Sequence, residues 1–343
     1  MTIAKNGHTA VLANNKGEYT MKTMTIPVFF ATDDAYAPAL GVALRSLLDN
    51  TKGDNDIRIH ILSTSLSEEN RTALCEIAAG RASIHFVNMH ERIAPLADRL
   101  VLRDYYSAAT YLRLFISEMY PEYDKALYLD CDIVVTGDIA DLYSTPTDDV
   151  LVAAVPEDVM WRIDVFGRYV ETLFSIPRRE FFNAGVLVMN LDRFRRDRIL
   201  DRFLDLLSRR RFVVTQDEDY LNVLCRGAVR LLPDAWNTSP LEEGEVTPQL
   251  VHYKLDRKPW HYGDVRFSDE FWHYADKTPY GKALRAELSG YDNDRRERDR
   301  QSYERLVELA KSEILRERRE RRERRESRLS AVTAAAKRCT GLL

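Results

Sequence analysis

Short apolar runs and stretches of helical spacing alternate along the first two thirds of the chain. Ile26–Phe30 and Ile84–Val87 have the apolar character of buried strands, and Ile57–Leu62 alternates as a strand does. Leu40–Leu48 carries apolar residues at roughly helical spacing, and Ser67 can cap a second helix. This order of strands and helices predicts parallel βαβ units and therefore an α/β fold.

The pattern continues downstream with further elements of both kinds. Strands are predicted at Ala126–Leu129, at Leu151–Val155, at Phe181–Leu191 and in a segment ending at His252. Helices are predicted at Ser107–Ile116 and Arg195–Arg209. Trp161–Arg179 is mixed and polar, which is typical of a flexible loop or lid.

Two carboxylates separated by one residue follow the strand Ala126–Leu129. Because desolvating an unpaired carboxylate is expensive, Asp130 and Asp132 are expected where the strand ends and meets a cation. Oxygen ligands suit Mg²⁺ or Mn²⁺, ions that commonly clamp a pyrophosphate. Simple capping of the strand end is the alternative. Ligands of parallel sheets bind beyond the carboxyl ends of strands, where both Asp130 and Asp33 fall.

Composition places the chain among ordinary globular proteins. It has 343 residues, of which 45% are hydrophobic and 10% aromatic, so a sizeable core can form. No apolar run reaches the ~18 residues of a membrane span, and Met1–Thr25 lacks the apolar segment of a secretory signal. The four cysteines are widely spaced and have no zinc pattern. We therefore expect free cysteines and a cytoplasmic location.

Several polar residues at element ends have both a structural and a functional interpretation. Arg113 is either a solvated helix charge or points into the site. Asn183, at the entry of the strand Phe181–Leu191, either bonds a sugar hydroxyl or makes a local turn. Asp217, Glu218 and Asp219 either complement a helix dipole or serve function, since they exceed what capping requires.

His252 and Lys258 also have both a structural and a functional interpretation. A lone histidine such as His252 is usually structural. Lys258 precedes a proline, which favours extended backbone, and its ammonium can reach a phosphate as a point charge.

Six motifs in order, from about Ile26 to Trp260, resemble the glycosyltransferase family 8 pattern. They are Ala-x-Asp-x-x-Tyr at 31–36, Tyr-x-Arg-Leu at 111–114, Tyr-Leu-Asp-x-Asp at 128–132, Phe-Asn-Ala-Gly-Val at 182–186, Gln-Asp-x-Asp-x-Leu-Asn at 216–222, and His-Tyr at 252–253 with Lys-Pro-Trp at 258–260. Within this family the chain resembles bacterial enzymes that add galactose or glucose to lipopolysaccharide. The resemblance implies a GT-A fold, a UDP-hexose donor, Mn²⁺ (with Mg²⁺ as the other candidate) and retention of anomeric configuration.

The resemblance also implies a role for each matched residue. The implied metal ligands are Asp130, Asp132 and His252, a set that fits Mn²⁺ better than Mg²⁺. The implied uridine contacts are Ala31, Asp33 and Tyr36, and Lys258 would contact the diphosphate. The implied residues of the donor sugar and the reaction centre are Arg113, Asn183, Asp217, Glu218 and Asp219. The metal and Lys258 would stabilise negative charge on the departing UDP.

Three departures from the family pattern bear on donor choice. Ala35 stands where relatives often carry Asn, and 254–257 replaces a stretch that usually holds Gly. Glu218 stands at a position that is usually Gln, close to the anomeric carbon. We expect Glu218 to orient the substrate and to support an oxocarbenium-like centre rather than to act as a nucleophile.

Charge is unevenly distributed between the body and the C-terminal end. The net charge is −4, but residues 311–343 hold eleven Lys/Arg and five Glu, a net charge of +6, so the first 310 residues carry −10.

We divide the chain into a polar extension (1–24), a catalytic domain (25–275) and a helical, charge-rich tail (276–343). The tail is expected to contact an anionic membrane or a partner, with a solvated helix as the alternative and no nucleic acid expected. Because no motif lies there, removal of Asp292–Leu343 is expected to spare donor hydrolysis.

The sequence thus predicts a metal-dependent retaining glycosyltransferase that moves galactose or glucose from a UDP-sugar to a glycan or glycolipid acceptor. One alternative is a catalytically silent UDP-sugar-binding scaffold whose tail recruits a partner. Another is an inverting transferase or nucleotidyltransferase on a similar fold.

Overall fold

The fold is described from a computed structural model that covers the backbone of residues 11–13, 19–21, 23–101, 108–241 and 244–340. Side chains are described from residue 23 to residue 332 of these ranges. Most of the predicted polar extension, and Ser107 at the start of a predicted helix, lie outside the described residues.

Eleven strands and thirteen α-helices make up the described chain. The strands are β1 (Val11–Ala13), β2 (Tyr19–Met21), β3 (Thr25–Ala31), β4 (Asp56–Ser63), β5 (Ser83–Asn88), β6 (Lys125–Leu129), β7 (Ile133–Val135), β8 (Val152–Pro156), β9 (Phe182–Asn190), β10 (Val229–Leu231) and β11 (Leu250–His252). The helices are α1 (Ala37–Asn50), α2 (Glu68–Ala78), α3 (His90–Ile93), α4 (Ile116–Met119), α5 (Ile139–Tyr143), α6 (Asp158–Arg162), α7 (Asp164–Phe174), α8 (Leu191–Arg196), α9 (Ile199–Arg209), α10 (Asp217–Leu224), α11 (Ser268–Ala275), α12 (Gly281–Gly290) and α13 (Asn293–Thr340). Short 3₁₀ helices lie at Ala94–Leu96, Ala108–Phe115 and Asp234–Asn237.

A seven-stranded mixed sheet forms the centre, in the order β10-β8-β9-β6-β3-β4-β5. β4 and β6 run parallel to β3, as the alternation of strands and helices predicts, whereas β9 runs antiparallel to both β6 and β8. Phe29 and Phe30 are adjacent on β3 and pack into two different buried clusters, because successive side chains of a strand point to opposite faces. Both faces are therefore covered, and the predicted α/β fold is confirmed.

Residues 161–174 are helical except at Ile163, so the prediction of a flexible loop or lid over Trp161–Arg179 is wrong for most of this segment; residues 175–179 lie outside the helices. α7 buries Phe166, Tyr169 and Val170, together with Leu173 and Phe174. These positions follow the i, i+3, i+4, i+7, i+8 spacing of an amphipathic helix, which the intervening charged residues obscured in the sequence.

The single helix predicted over Arg195–Arg209 is two helices, α8 and α9. Arg198 lies between them with φ 53°, in the left-handed region that ends a helix. The predicted helix at 107–116 is also different, since residues Ala108–Phe115 form a 3₁₀ helix that continues into α4.

The first half of α13 packs on the body of the protein. Leu306, Ala310 and Ile314 are buried in the same cluster as Phe166 and Tyr169 of α7. Removal of Asp292–Leu343 would expose part of the core. We therefore now expect this deletion to impair donor hydrolysis rather than to spare it. Among the described residues, no helix combines the length and the apolar character needed to cross a bilayer.

Candidate active site

A cavity opens at the carboxyl edge of the sheet, beyond the ends of β3, β6 and β8. The residues that line it come from strand ends, from the 3₁₀ helix Ala108–Phe115, from α6, α7, α10 and α13, and from the segments that precede α1 and α10 and follow β11. They are Ala31, Thr32, Asp33, Tyr36, Ala109, Thr110, Arg113, Tyr128, Asp130, Cys131, Asp132, Glu157, Val159, Met160, Phe166, Asn183, Ala184, Gly185, Val214, Thr215, Asp217, Glu218, His252, Lys254, Leu255, Lys258 and Leu306.

Asp130, Asp132 and His252 converge on one point of this cavity. β6 ends at Leu129 and brings both carboxylates to the edge, and β11 pairs with β7, which brings His252 opposite Ile133. His252 Nε2 lies 3.2 Å from Asp132 Oδ1 and 3.8 Å from Asp130 Oδ2. One ligand atom from each of the three residues lies within 4.8 Å of the others, a spacing that can hold a metal ion.

Gly185 lies directly against this cluster, where no larger residue would fit. A Cβ added at Gly185 would lie 2.4 Å from His252 Cε1 and 2.5 Å from Asp130 Oδ2. Gly185 is therefore required for the carboxylate and imidazole to approach each other. Two carboxylates and an imidazole suit a divalent cation such as Mn²⁺, so the residues present fit the predicted metal.

Lys258 lies against the same cluster. Its Nζ bonds Asp132 Oδ2 and the carbonyl oxygen of Tyr253, and its side chain is buried. Burial alone would raise the pKa of Asp132, but Lys258 and His252 hold it below its usual range. Asp132 is therefore ionised and available as a ligand.

Arg113 is buried and points into the site, so the interpretation as a solvated helix charge is excluded. The guanidinium lies 3.0 Å from Asp130 Oδ1 and 3.1 Å from Asp217 Oδ2. It also stacks on the Tyr128 ring, whose hydroxyl donates to Asp130 Oδ1 at 2.9 Å. Arg113 thus orients Asp130 and Asp217 at once.

Asp217 and Glu218 begin α10 and line the cavity. Burial raises the pKa of Asp217 to about 6, although Arg113 counteracts it. Burial also raises the pKa of Glu218 well above its usual range, with Glu157 adding to the effect. Glu218 Oε2 accepts from the backbone N–H of Ala184 at 2.9 Å.

Asn183 is fully engaged with protein groups. Its Nδ2 donates to Glu157 Oε2 and, at 3.3 Å, to Glu218 Oε2. Its Oδ1 accepts from Gly185 N–H at 2.9 Å and from Asn237 Nδ2 at 2.7 Å. A direct contact of Asn183 with a donor sugar would break one of these bonds.

The structure does not bring Asp219 into the cavity. Its carboxylate is fully buried behind α10, where Oδ2 accepts from Tyr169 Oη at 2.8 Å and from Thr215 N–H at 3.1 Å. The expected place of Asp219 near the reaction centre is not supported, because successive residues of a helix point to different sides.

Ala31, Asp33 and Tyr36 also line the cavity, at the turn between β3 and α1. Asp33 Oδ1 accepts from the Tyr36 backbone N–H at 3.1 Å, which fixes the turn. Ala35 is exposed and is not among the lining residues.

Sequence reasoning missed a buried ion cluster beside Asn183. Lys254 Nζ lies 2.8 Å from Glu157 Oε1 and bonds Asp158 Oδ1, and all three side chains are buried. Burial would lower the pKa of Lys254, but the two carboxylates raise it. Glu157 and Asp158 directly follow β8, so the strand-end rule applied to Asp33 and Asp130 would have identified them.

The backbone after Lys254 explains one departure from the expected pattern. Leu255 has φ 56°, in the left-handed region that glycine adopts most readily. The chain therefore keeps a glycine-like turn at 254–257 without a glycine.

The chain matches the family model described as Glycosyl transferase family 8 over residues 27–264. A putative glycosyltransferase of Haemophilus influenzae is 26% identical over 251 residues, which is 70% of this chain and 74% of that protein. The lipopolysaccharide 1,2-glucosyltransferase of Escherichia coli K12 is 26% identical over 255 residues, which is 68% of this chain and 72% of that protein.

Solved structures give a consistent result. The galactosyltransferase LgtC in complex with donor and acceptor sugar analogs has a TM-score of 0.62 and 27% identity, covering 77% of this chain and all of that one. The bifunctional glycosyltransferase WbbM has a TM-score of 0.67 and 24% identity, which shows a shared fold; the match covers 78% of this chain and about half, 52%, of that one.

Proposed function

Because this chain belongs to glycosyltransferase family 8 and has a GT-A fold, we propose that it is a metal-dependent enzyme that transfers a hexose, galactose or glucose, from UDP with retention of configuration. The observation that carries this proposal is the convergence of Asp130, Asp132 and His252 in the cavity. The names of the relatives support a glycan acceptor of lipopolysaccharide or of another surface polysaccharide.

The residues around the cavity divide into donor-binding groups in this proposal. Ala31, Asp33 and Tyr36 hold the uridine, and Lys258 moves from Asp132 to the diphosphate. Asp130, Asp132 and His252 hold a divalent cation, preferably Mn²⁺, which when bound neutralises charge on the diphosphate. Positive groups placed where negative charge develops lower the barrier to departure of UDP.

Arg113 and Asp217 face the sugar from the other side of Asp130. Arg113 orients Asp130 and Asp217, since its guanidinium touches both. The Asp217 carboxylate then accepts a hydrogen bond from a hydroxyl of the donor sugar, and this hydrogen bond fixes the donor in one orientation.

Retention follows without an enzyme nucleophile in this proposal. The bond from the anomeric carbon to the phosphate oxygen breaks, the acceptor oxygen bonds the same face, and the acceptor proton passes to the departing phosphate. Glu218 remains a substrate-orienting group, because its carboxyl already accepts a hydrogen bond from Ala184.

We also propose peripheral contact of α13 with an anionic membrane. Arg318, Arg325 and Arg328 are exposed, lie on one face of the helix by their spacing, and have no ion pair within the described residues. Leu329 and Val332 flank Arg328 and are also exposed. A basic face with apolar residues suits an anionic headgroup layer, where a lipid-linked glycan acceptor would be found.

A screen of UDP-sugars for hydrolysis with and without Mn²⁺ tests the proposed reaction. We expect hydrolysis of UDP-galactose or UDP-glucose that requires Mn²⁺ and is lost with EDTA. The anomeric proton coupling of the product formed with an acceptor should match that of the donor. Binding of UDP-sugar without turnover would favour a silent binding protein, and an inverted product would favour an inverting transferase.

A further inference from the structure

A chain of hydrogen bonds links the backbone N–H of Gly185 to the Nδ1 atom of His252. Gly185 N–H donates to Asn183 Oδ1 at 2.9 Å, Asn237 Nδ2 donates to the same oxygen at 2.7 Å, and Asn237 Oδ1 lies 3.0 Å from His252 Nδ1. Asn183, Asn237 and His252 are each at most 6% exposed, so water does not compete for these bonds.

The direction of every bond in this chain follows from Gly185. A backbone N–H can only donate, so the Asn183 atom that faces it is the oxygen. The Asn237 atom that faces this oxygen is then the NH₂ group, and the remaining Asn237 atom, facing His252, is the oxygen. An amide oxygen can only accept, so His252 Nδ1 carries a proton.

The other end of Asn183 fixes its amide in the same sense. Its NH₂ group faces two carboxylates, Glu157 and Glu218, which can both accept. Glu157 is in turn held by the Lys254 ammonium at 2.8 Å. A flip of the Asn183 amide would oppose its NH₂ group to the Gly185 N–H, two donors that cannot bond, so the chain has one direction.

The local fold brings Asn237 beside His252. Asn237 ends a 3₁₀ helix, and the next residue, Thr238, bridges to Val251. Thr238 N–H donates to Leu250 O at 2.9 Å, and His252 N–H donates to Thr238 O at 2.9 Å. Asn237 is therefore held in register with His252, although 15 residues separate them.

We propose that Asn237 and Asn183 are positioning residues that hold His252 in the tautomer with the proton on Nδ1, so that Nε2 offers its lone pair between Asp130 and Asp132. This inference rests on the metal site of the proposed function. Histidines that bind metals usually donate their second N–H to a fixed acceptor, and loss of that acceptor typically weakens metal binding. Here the acceptor is an amide whose orientation is set by a backbone N–H.

The first test is spectroscopic and needs neither metal nor substrate. The ¹⁵N shifts of the His252 ring, assigned with His252→Gln, are measured in metal-free protein at about pH 9, well above the ordinary histidine pKa of about 6.5. We expect protonated Nδ1 in the wild type, because the Asn237 oxygen that faces it can only accept. In Asn237→Leu we expect a shift towards unprotonated Nδ1, whereas Asn237→Asp, which keeps an accepting oxygen, should keep Nδ1 protonated. Unprotonated Nδ1 in the wild type, or an unchanged spectrum in Asn237→Leu, would overturn the inference.

The second test measures Mn²⁺ affinity from the EPR signal of the free ion. Asn237→Leu should bind Mn²⁺ about 10- to 100-fold more weakly, and Asn237→Asp should restore most of the affinity. Asn190→Leu is the matched control, since Asn190 is also buried but lies at the opposite end of β9 and bonds Thr147 O. It should bind Mn²⁺ as the wild type does.

The two tests separate failure of this inference from failure of the proposed function. Equal Mn²⁺ affinity in wild type and Asn237→Leu would overturn the positioning role alone. Absence of Mn²⁺ binding by the wild type would instead overturn the metal site, and the positioning role with it.

Discussion

The cavity at the sheet edge and the outer half of α13 use the same charged residue types in opposite ways. In the cavity, Arg113 has a side chain only 4% exposed and touches both Asp130 and Asp217. On α13, Arg322 is 80% exposed and pairs with Glu326 one turn away. Buried ion pairs cost desolvation and are a poor route to stability, whereas exposed pairs contribute about 0–1 kcal/mol.

The buried charges of the cavity therefore have a functional interpretation, whereas the exposed charges of α13 keep that helix solvated. A protein retains clustered buried charges most readily where they bind a charged ligand. The regular i, i+3 and i, i+4 pairs of α13 need only water around them. Removing one charge should therefore be severe in the cavity and slight on the helix.

Arg113→Met should give the largest effect. It leaves the buried Asp217 carboxylate and the partly exposed Asp130 carboxylate without their shared cation, so we expect a loss of about 3–5 kcal/mol in the free energy of unfolding. Turnover of UDP-hexose should fall by at least ~1000-fold, about 4 kcal/mol of barrier. Urea unfolding and donor hydrolysis measure the two effects. The control is Arg322→Met, which should change stability by no more than about 0.5 kcal/mol; equal losses in both variants would break the comparison.

Asp219 is a buried carboxylate that, unlike Asp217, has no ion pair among the described residues. Burial raises the pKa of its carboxyl to about 7. The folded state thus binds this proton more tightly than the unfolded state, so the group's contribution to stability falls as pH rises from about 4 to about 7, by roughly 4 kcal/mol in total.

Asp219→Asn removes this titration. The difference in the free energy of unfolding, variant minus wild type, should be about 3 kcal/mol larger at pH 8 than at pH 5. Urea unfolding at the two pH values measures the difference. A difference between variant and wild type that does not change with pH would contradict an elevated pKa at Asp219.

Glu218→Gln should have a smaller effect on turnover. The amide keeps the size of the side chain, and Gln is the residue that the family resemblance implies at this position. We expect a retained product and a loss of no more than ~100-fold, about 2.7 kcal/mol of barrier. Should turnover fall to background while added azide restores a glycosyl product, Glu218 would be a nucleophile and retention would proceed through a covalent intermediate.

Arg325→Gln on the exposed face of α13 should give the smallest effect. Donor hydrolysis should stay within about 2-fold of wild type, and binding to anionic vesicles should weaken by about 1 kcal/mol, roughly 5-fold. Vesicle sedimentation at low and high salt measures it, since attraction to the surface is screened by salt. The control Arg45→Gln removes one charge from α1; equal weakening would argue against contact through α13.

The strands and the carboxylates that follow β6 could be predicted from the sequence because their signals are local, whereas His252 was assigned to the metal cluster only through the family resemblance. The apolar run before Asp130 and the Asn-Ala-Gly entry to β9 both identify strand ends. α7 was missed because charged residues interrupt its apolar stripe, although Phe166, Tyr169 and Val170 have helical spacing.

The partners of the site residues could not be predicted, because they are distant in the chain. Lys254 pairs with Glu157, 97 residues away, and no pattern near either residue indicates the other. Asn237 follows Asp-Ala-Trp with no motif around it, and only the pairing of β11 with β7 and Thr238 brings it to His252.

The most direct test of the central claim, that the buried charges of the cavity form a metal-dependent donor site, is Mn²⁺-dependent hydrolysis of UDP-hexose by Asp132→Asn. Asp132 contacts both His252 and Lys258, so the substitution removes one ligand charge while leaving the shape of the site. We predict turnover at background at every Mn²⁺ concentration, beside a wild type that saturates with Mn²⁺. Turnover by Asp132→Asn with the wild-type dependence on Mn²⁺ would contradict the account.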